Sequence, residues 1–164
     1  TGSIAIKAAL TGHLVLSTLH TNDAPSTITR MVDMGIEPFN VASAVNLIVA
    51  QRLVRRICKE CKQEHQYTDE EMHAFGIDRK VGPFFKGAGC ATCAGAGYKG
   101  RQGLYEVMAL SSPLRRGILK GGSTEELRDL AVQEGMLTLR LDGMVKVKKG
   151  VTTLEEVVKE TAAG

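Results

Sequence analysis

Four cysteines, arranged as two Cys-x-x-Cys pairs, place the strongest constraint on how this chain can fold. The pairs are Cys58 with Cys61 and Cys90 with Cys93, and residues 62–89 lie between them. Zn²⁺ prefers four soft ligands in a tetrahedron, and two such pairs supply them from two tight turns. The sequence therefore predicts one structural zinc site, Cys58, Cys61, Cys90 and Cys93, with no coordination position left for a substrate.

Alternatives to a zinc site are disulfides, redox-active cysteines and unligated thiols. No signal peptide is visible in the sequence, and without one a metal site is favoured over disulfides. No apolar run approaches the roughly 20 residues of a membrane span. His65 and His73 could in principle replace a cysteine ligand, but we expect both to be ordinary surface residues.

A second feature is the stretch GHLVLSTLHTNDA at residues 12–24. Its continuous apolar run predicts a buried strand, Leu14–Leu19, that ends in a polar loop. Ligands of α/β folds bind beyond the carboxyl ends of such strands, so His20 and its hydroxyl neighbours suit a phosphate or a catalytic water. The alternative is a core strand followed by an ordinary helix cap, with Asn22 or Asp23 at the N-cap.

Length and composition set the remaining bounds. The 164 residues suffice for one domain or two small ones, and a hydrophobic fraction of 43% allows a real core. The net charge of +3 is mild and indicates neither a nucleic-acid-coating surface nor an acidic tail. Residues 1–10 have the pattern of a helix end stopped by Gly12, so we expect the sequence to be a fragment that begins inside a folded unit.

Periodicity and capping signals predict the other elements. Strands are expected at residues 48–57 and 104–110, and the second should place Leu104, Glu106, Met108 and Leu110 on one face. Capping boxes are expected at Thr68 and Ser123. Helices are predicted over residues 25–34, 41–47 and 69–75, followed by a series of short amphipathic helices after Ser111.

The stretch at residues 12–24 resembles the histidine box of the type II secretion and type IV pilus assembly ATPases. The resemblance continues through residues 33–39 and 50–54, the cysteine pairs, and Gly100-Arg101. It implies an α/β fold with three parts along the chain. These are the remnant of a RecA-like core over residues 1–57, a four-cysteine zinc-binding subdomain over 58–110, and a small helical C-terminal module over 111–164.

The resemblance further implies a homo-hexameric cytoplasmic motor that hydrolyses ATP with Mg²⁺ and acts at the inner membrane through a platform protein. In that family His20 would sense or contact the γ-phosphate, with His13 at the start of the strand in support. The chain contains no G-x-x-x-x-G-K-[ST] loop to bind phosphates. The resemblance places that loop and the Mg²⁺-binding acid upstream, so we expect the 164 residues alone to be inactive.

Two further expectations concern partners. An open apolar strand invites pairing, so the fragment is expected to dimerise or swap elements through its first ~20 residues. An alternative function is a stand-alone zinc-binding interaction module for nucleic acid, because five basic residues flank the first cysteine pair: Arg52, Arg55, Arg56, Lys59 and Lys62. That basic stretch lacks interleaved aromatics, and the pI of 8.7 is modest, which disfavours nucleic acid as a partner. The three arginines otherwise suit a solvated edge, a site near a nucleotide, or a subunit interface that faces a nucleotide.

Overall fold

The computed structural model describes residues 1–77 and 82–161, which form eight helices and four strands. The helices are α1 (Gly2–Leu10), α2 (Ala24–Asp33), α3 (Pro38–Ala44), α4 (Asp69–Ala74), α5 (Ser112–Leu119), α6 (Thr124–Gln133), α7 (Leu139–Lys148) and α8 (Leu154–Thr161). The strands are β1 (Leu47–Ile57), β2 (Lys62–His65), β3 (Phe84–Gly87) and β4 (Tyr98–Ala109). Strand β1 pairs with β4, and β2 pairs antiparallel with β3.

The described chain divides into two compact units, each made of two chain segments. Unit 1 combines residues 1–50 with 106–138, and unit 2 combines 51–105 with the segment from residue 139 onward. Helices α5 and α6 therefore belong to unit 1, whereas α7 and α8 belong to unit 2. The boundaries predicted at residues 57 and 110 are places where the local sequence pattern changes. The two units are instead defined by which segments pack together, and such segments can be distant in sequence.

Unit 1 is a helical assembly in which α3 packs against α1, α2 and α5, and α6 packs against α2 and α5. Its core includes the fully buried side chains of Val41, Leu114 and Leu127. Helices α5 and α6 approach closely at Gly117, where an added Cβ would lie 3.1 Å from Cδ2 of Leu127. The apolar faces that the 3.6-residue period predicts thus form one aliphatic core.

The predicted buried strand Leu14–Leu19 is wrong for the described residues. Residues 13–20 have no regular secondary structure, and the exposed fractions of Leu14 and Leu16 are 90% and 87%. A strand needs a neighbour for its backbone N–H and C=O groups. The described chain provides none, since residues 14–20 make no backbone–backbone hydrogen bond within it.

Unit 2 joins the small β2–β3 sheet to α4, α7 and α8. Helices α7 and α8 pack around Val147, Leu154 and Val157, which are at most 1% exposed. Gly143 lies at their contact, where a Cβ would come within 2.5 Å of Cγ1 of Val157. The β2–β3 sheet was not predicted, because its short strands lie in a stretch with a polar pattern.

Most local predictions are confirmed, with shifted boundaries. Asp23 caps α2, and Thr68 and Glu71 form the predicted capping box of α4. Strand β4 buries one face as predicted, but it begins six residues earlier, at Tyr98. Helix α3 begins at Pro38, three residues before the predicted start, because the proline suits its first turn. Among the described residues, no helix has the length and apolar character needed to cross a bilayer.

Candidate metal centre and histidine segment

The two cysteine pairs occupy tight turns that the surrounding backbone fixes. Cys58 directly follows β1, and its N–H donates to the carbonyl of Gly97 at 3.0 Å. The carbonyl of Cys61, just before β2, accepts from the N–H of Ala88 at 3.0 Å. Gly87 allows the second turn to pass close by, since a Cβ there would overlap the backbone of Gly97. Each pair is therefore held by bonds to the segment that carries the other.

The four sulfur atoms lie within 4.8 Å of one another. The Sγ–Sγ distance is 3.8 Å for Cys58 and Cys90, 3.8 Å for Cys61 and Cys93, and 3.7 Å for Cys90 and Cys93. A tetrahedron with Zn–S bonds of about 2.3 Å has sulfur–sulfur edges of about 3.8 Å. The cluster thus has the size and the donor set that Zn²⁺ requires.

Backbone N–H groups point at two of these sulfurs. Gly89 donates to Cys61 at 3.3 Å, while Cys90 and Gly97 donate to Cys93 at 3.3 and 3.2 Å. Burial raises the pKa of the Cys61 thiol, and without a metal it lies at about 11. Burial also acts to raise the pKa of Cys93, but its two N–H donors outweigh that effect and lower it to about 6. Such donors stabilise the thiolate form that a metal binds.

Helix α8 is attached to the β2–β3 sheet through a charged and aromatic cluster. Glu155 accepts a hydrogen bond from the Tyr67 hydroxyl at 2.7 Å and pairs with Lys86 at 2.5 Å. Burial and the Glu155 carboxylate raise the pKa of Tyr67 above its usual range. His65 packs edge-on against Tyr67 with ring centroids 4.7 Å apart, and its Nε2 is buried without a hydrogen-bond partner among the described residues. His65 is therefore half-buried and not simply an ordinary surface residue, while His73 is exposed as expected.

Arg55 has a structural environment that the sequence did not reveal. Its Nε and Nη2 donate to Oε1 of Glu156 at 3.0 and 2.6 Å, and its backbone N–H donates to Oε2 at 2.9 Å. The guanidinium also lies 4.1 Å from the ring centroid of Tyr98. The pairing of Arg55 with Glu156 joins β1 to α8 within unit 2. Arg55 is therefore an ion-paired residue and not simply part of a solvated edge.

The two candidate histidines lie at opposite ends of the segment 13–20. His13 sits at the end of α1, where its Nδ1 lies 3.3 Å from the carbonyl oxygen of Ala8 and 3.3 Å from Oγ1 of Thr11. His20 is exposed and immediately precedes the loop of residues 21–23 that leads into α2. The structure therefore brings the four cysteines together but does not place the two histidines in one cluster.

Two acidic side chains fix the loop after His20, and sequence reasoning missed their partners. Asp23 caps α2 and pairs with Arg128 of α6, with 2.7 Å between Oδ2 and Nη2. Glu106 of β4 is buried and accepts the Ala24 N–H at 2.9 Å. The one available signal was the glutamate placed on the apolar face of the predicted strand at residues 104–110.

The family of type II/IV secretion system proteins matches residues 1–159 of the chain. A type IV pilus assembly ATPase PilB of Myxococcus xanthus is 49% identical, over 99% of this chain and 29% of its own length. A type II secretion system protein E of Pseudomonas aeruginosa is 44% identical, over 98% of this chain and 32% of its own length. The chain thus spans roughly three tenths of these curated relatives.

Solved structures match at lower sequence identity. The ATPase DotB of Legionella pneumophila superposes with a TM-score of 0.62 at 20% identity, over 99% of this chain and 36% of its own. The pilus retraction motor PilT with bound ADP gives a TM-score of 0.62 at 23% identity, over 96% of this chain and 35% of its own. The chain therefore shares the fold of part of these ATPases.

Proposed function

Because the chain belongs to the type II/IV secretion system protein family, we propose that it is the C-terminal part of a longer ATPase that powers pilus assembly or protein secretion. The main support is the family match over residues 1–159. The similar proteins named as pilus assembly ATPases and type II secretion system protein E support it further. Residues 1–57 contribute to its RecA-like core. The longer protein forms a cytoplasmic hexamer and acts through a platform protein of the inner membrane.

ATP and Mg²⁺ bind mainly to residues outside these 164. The sequence has no G-x-x-x-x-G-K-[ST] loop, whose backbone N–H groups and lysine would hold the phosphates. Phosphoryl transfer to water depends on positioned charges around the nucleotide, and this chain supplies only some of them. His20 is the side chain that it offers to the γ-phosphate, since the ring is exposed at the end of the segment 13–20.

The four cysteines hold one structural Zn²⁺. The support is the donor set and the sulfur separations of 3.7 to 3.8 Å. Four thiolates fill all positions of a tetrahedral ion, so this zinc has no open position for catalysis. The ion stabilises the folded state by linking the end of β1 to the turn before β4, where few apolar side chains are available to do so.

One experiment tests the motor proposal by comparing three proteins. The 164 residues alone should show no Mg-ATP turnover, whereas the longer protein should hydrolyse ATP. In the longer protein, His20→Ala should lower turnover about 100-fold and leave hexamer formation intact. His13→Ala is the matched control and should cost much less, because that ring contacts only the end of α1. Unchanged turnover in His20→Ala would remove His20 from the site.

A second experiment tests the metal. Purified protein should contain one Zn²⁺ per chain by elemental analysis, and a Cys58→Ser, Cys61→Ser double variant should lose it together with the folded state of unit 2. His73→Ala is the control and should keep the full zinc content, because that side chain is exposed. Full zinc content and stability in the double cysteine variant would refute the assignment.

A further inference from the structure

Hydrogen bonds from α2, β4 and α6 hold the loop of residues 21–23, which connects His20 to α2, together with the first residue of that helix. The hydroxyl of Thr21 in this loop lies 2.8 Å from that of Thr27 in α2, and Thr27 also donates to the carbonyl of Asp23 at 3.2 Å. In contrast, residues 14–20 make no backbone–backbone hydrogen bond within the described chain. The direction of the His20 ring therefore depends on how firmly the residues immediately after it are anchored.

Asp23 performs two separate tasks with its two carboxylate oxygens. Oδ1 accepts the Ser26 N–H at 2.8 Å and also the Ser26 hydroxyl, which caps α2. Oδ2 accepts from Nη2 of Arg128, a residue 105 positions away in α6. Burial raises the pKa of Asp23, but the Ser26 and Arg128 hydrogen bonds outweigh it, so the net pKa is below its ordinary value. Removing Arg128 would thus leave the helix cap in place and free only the second oxygen.

Glu106 supplies the second anchor. The residue is 3% exposed, and its Oε1 accepts the backbone N–H of Ala24, 82 positions away. A buried carboxylate is costly unless it is hydrogen-bonded, so its place beside the first residue of α2 is a strong local restraint. Two elements that follow the cysteine cluster in sequence, β4 and α6, therefore hold the loop of residues 21–23 and the first residue of α2.

We propose that Arg128 and Glu106 are positioning residues for His20. This inference rests on the proposed function of His20 as the side chain that senses the γ-phosphate. Neither residue needs to touch the nucleotide. Arg128 holds the side chain of Asp23, and Glu106 holds the backbone N–H of Ala24, at the end of the loop that begins one residue after His20. A displacement of α6 would then change the orientation of His20 through the contact between Arg128 and Asp23.

The test uses the longer ATPase with Arg128→Ala, Arg128→Lys, His20→Ala and a control, Arg116→Ala. Arg116 lies in α5 and makes no ion pair among the described residues. Arg128→Ala should lower kcat about 10-fold, since a displaced group loses much of its effect. KM should change less than about 2-fold, and Tm should fall by less than about 4 °C. Arg128→Lys keeps the charge and should restore part of kcat, while Arg116→Ala should behave as the parent.

A double-mutant cycle separates positioning from a general effect. The measured quantity is the ratio of ATP to ADP affinity, which remains readable when turnover is low. In a protein that already carries His20→Ala, adding Arg128→Ala should not change this ratio further, because Arg128 affects the ratio only through the His20 ring. An equal additional change in the His20→Ala background would overturn the inference, as would a parent-like kcat in Arg128→Ala. A parent-like His20→Ala would instead refute the proposed role of His20 itself.

Glu106→Gln provides an independent variant that keeps the side-chain shape and an acceptor oxygen. It should fold and assemble, and it should lower kcat less than Arg128→Ala, because the Ala24 N–H retains a partner. Glu106→Ala removes that partner and should lower kcat at least as much as Arg128→Ala. Equal kcat in Glu106→Ala and the parent would remove Glu106 from the proposal.

Discussion

The contact between Arg55 and Glu156 offers the sharpest test of how unit 2 is stabilised. Glu156 is 4% exposed, and its carboxylate accepts three hydrogen bonds from Arg55. Replacing Arg55 with alanine removes both guanidinium donors but keeps the backbone N–H that binds Oε2. The carboxylate then stays buried with one of these three donors.

The expected cost follows from these contacts. A hydrogen bond to a charged group contributes about 1.5–3 kcal/mol, and stacking of a guanidinium on a ring adds about 0.5–1 kcal/mol. The Arg55 side chain is 52% exposed, so solvent screens part of the charge interaction. We therefore expect Arg55→Ala to lower the free energy of unfolding by about 2 kcal/mol, which corresponds to roughly 4–8 °C in Tm for a chain of this size.

The assay is urea and thermal unfolding followed by circular dichroism, because the chain contains no tryptophan. Saturating Zn²⁺ is kept in the buffer so that metal loss does not contribute. Arg56→Ala is the matched control, since Arg56 makes no ion pair among the described residues, and it should cost less than about 0.5 kcal/mol. Equal stability of the Arg55→Ala and Arg56→Ala proteins would refute the reasoning.

Three other outcomes are expected. Burial raises the pKa of Glu156, but the hydrogen bonds from its arginine partner lower it below the ordinary 4.5. The ionised Glu156 carboxylate therefore adds to the free energy of unfolding above pH 4.5, and this stabilisation is lost as pH falls through the folded-state pKa. Glu156→Gln should flatten the acid side of a plot of unfolding free energy against pH. Gly143→Ala should cost about 1–3 kcal/mol in urea unfolding, because its Cβ would meet Val157 at 2.5 Å, and a neutral result would contradict that packing. The 164 residues should self-associate by light scattering at high concentration, and Leu14→Asp with Leu16→Asp should restore a monomer, whereas a monomeric parent would contradict this.

The features that sequence reasoning predicted are those set by neighbouring residues or by spacing. The caps at Asp23, Thr68 and Ser123 each depend on a partner three residues away, so the sequence contains both members. The cysteine cluster was predicted from ligand chemistry, because two Cys-x-x-Cys turns have few other uses without disulfides. In these cases a local pattern limits the structure to one arrangement.

The features that escaped prediction depend on partners far away in sequence. Arg55 and Glu156 are 101 residues apart, so the arginine run alone could not distinguish a solvated edge from an ion pair. Gly143 interrupts the apolar pattern of α7, and only its contact with Val157 explains why a glycine suits that position. Likewise, the Glu106 carboxylate was predicted to lie on the apolar face of its strand, but its backbone donor in α2 was not predicted.

The segment 13–20 shows why an apolar run does not by itself define a buried strand. The run at residues 14–16 specifies which side chains are apolar, but burial requires a second surface, and pairing requires a second backbone. The described chain anchors His13 to α1 at the start of the segment and, three residues beyond its end, Asp23 to Arg128. Between them the leucines stay exposed, so the orientation of His20 depends on the anchored loop that follows it. For this reason Arg128 and Glu106, and not the apolar run, are the residues on which we expect the behaviour of His20 to depend.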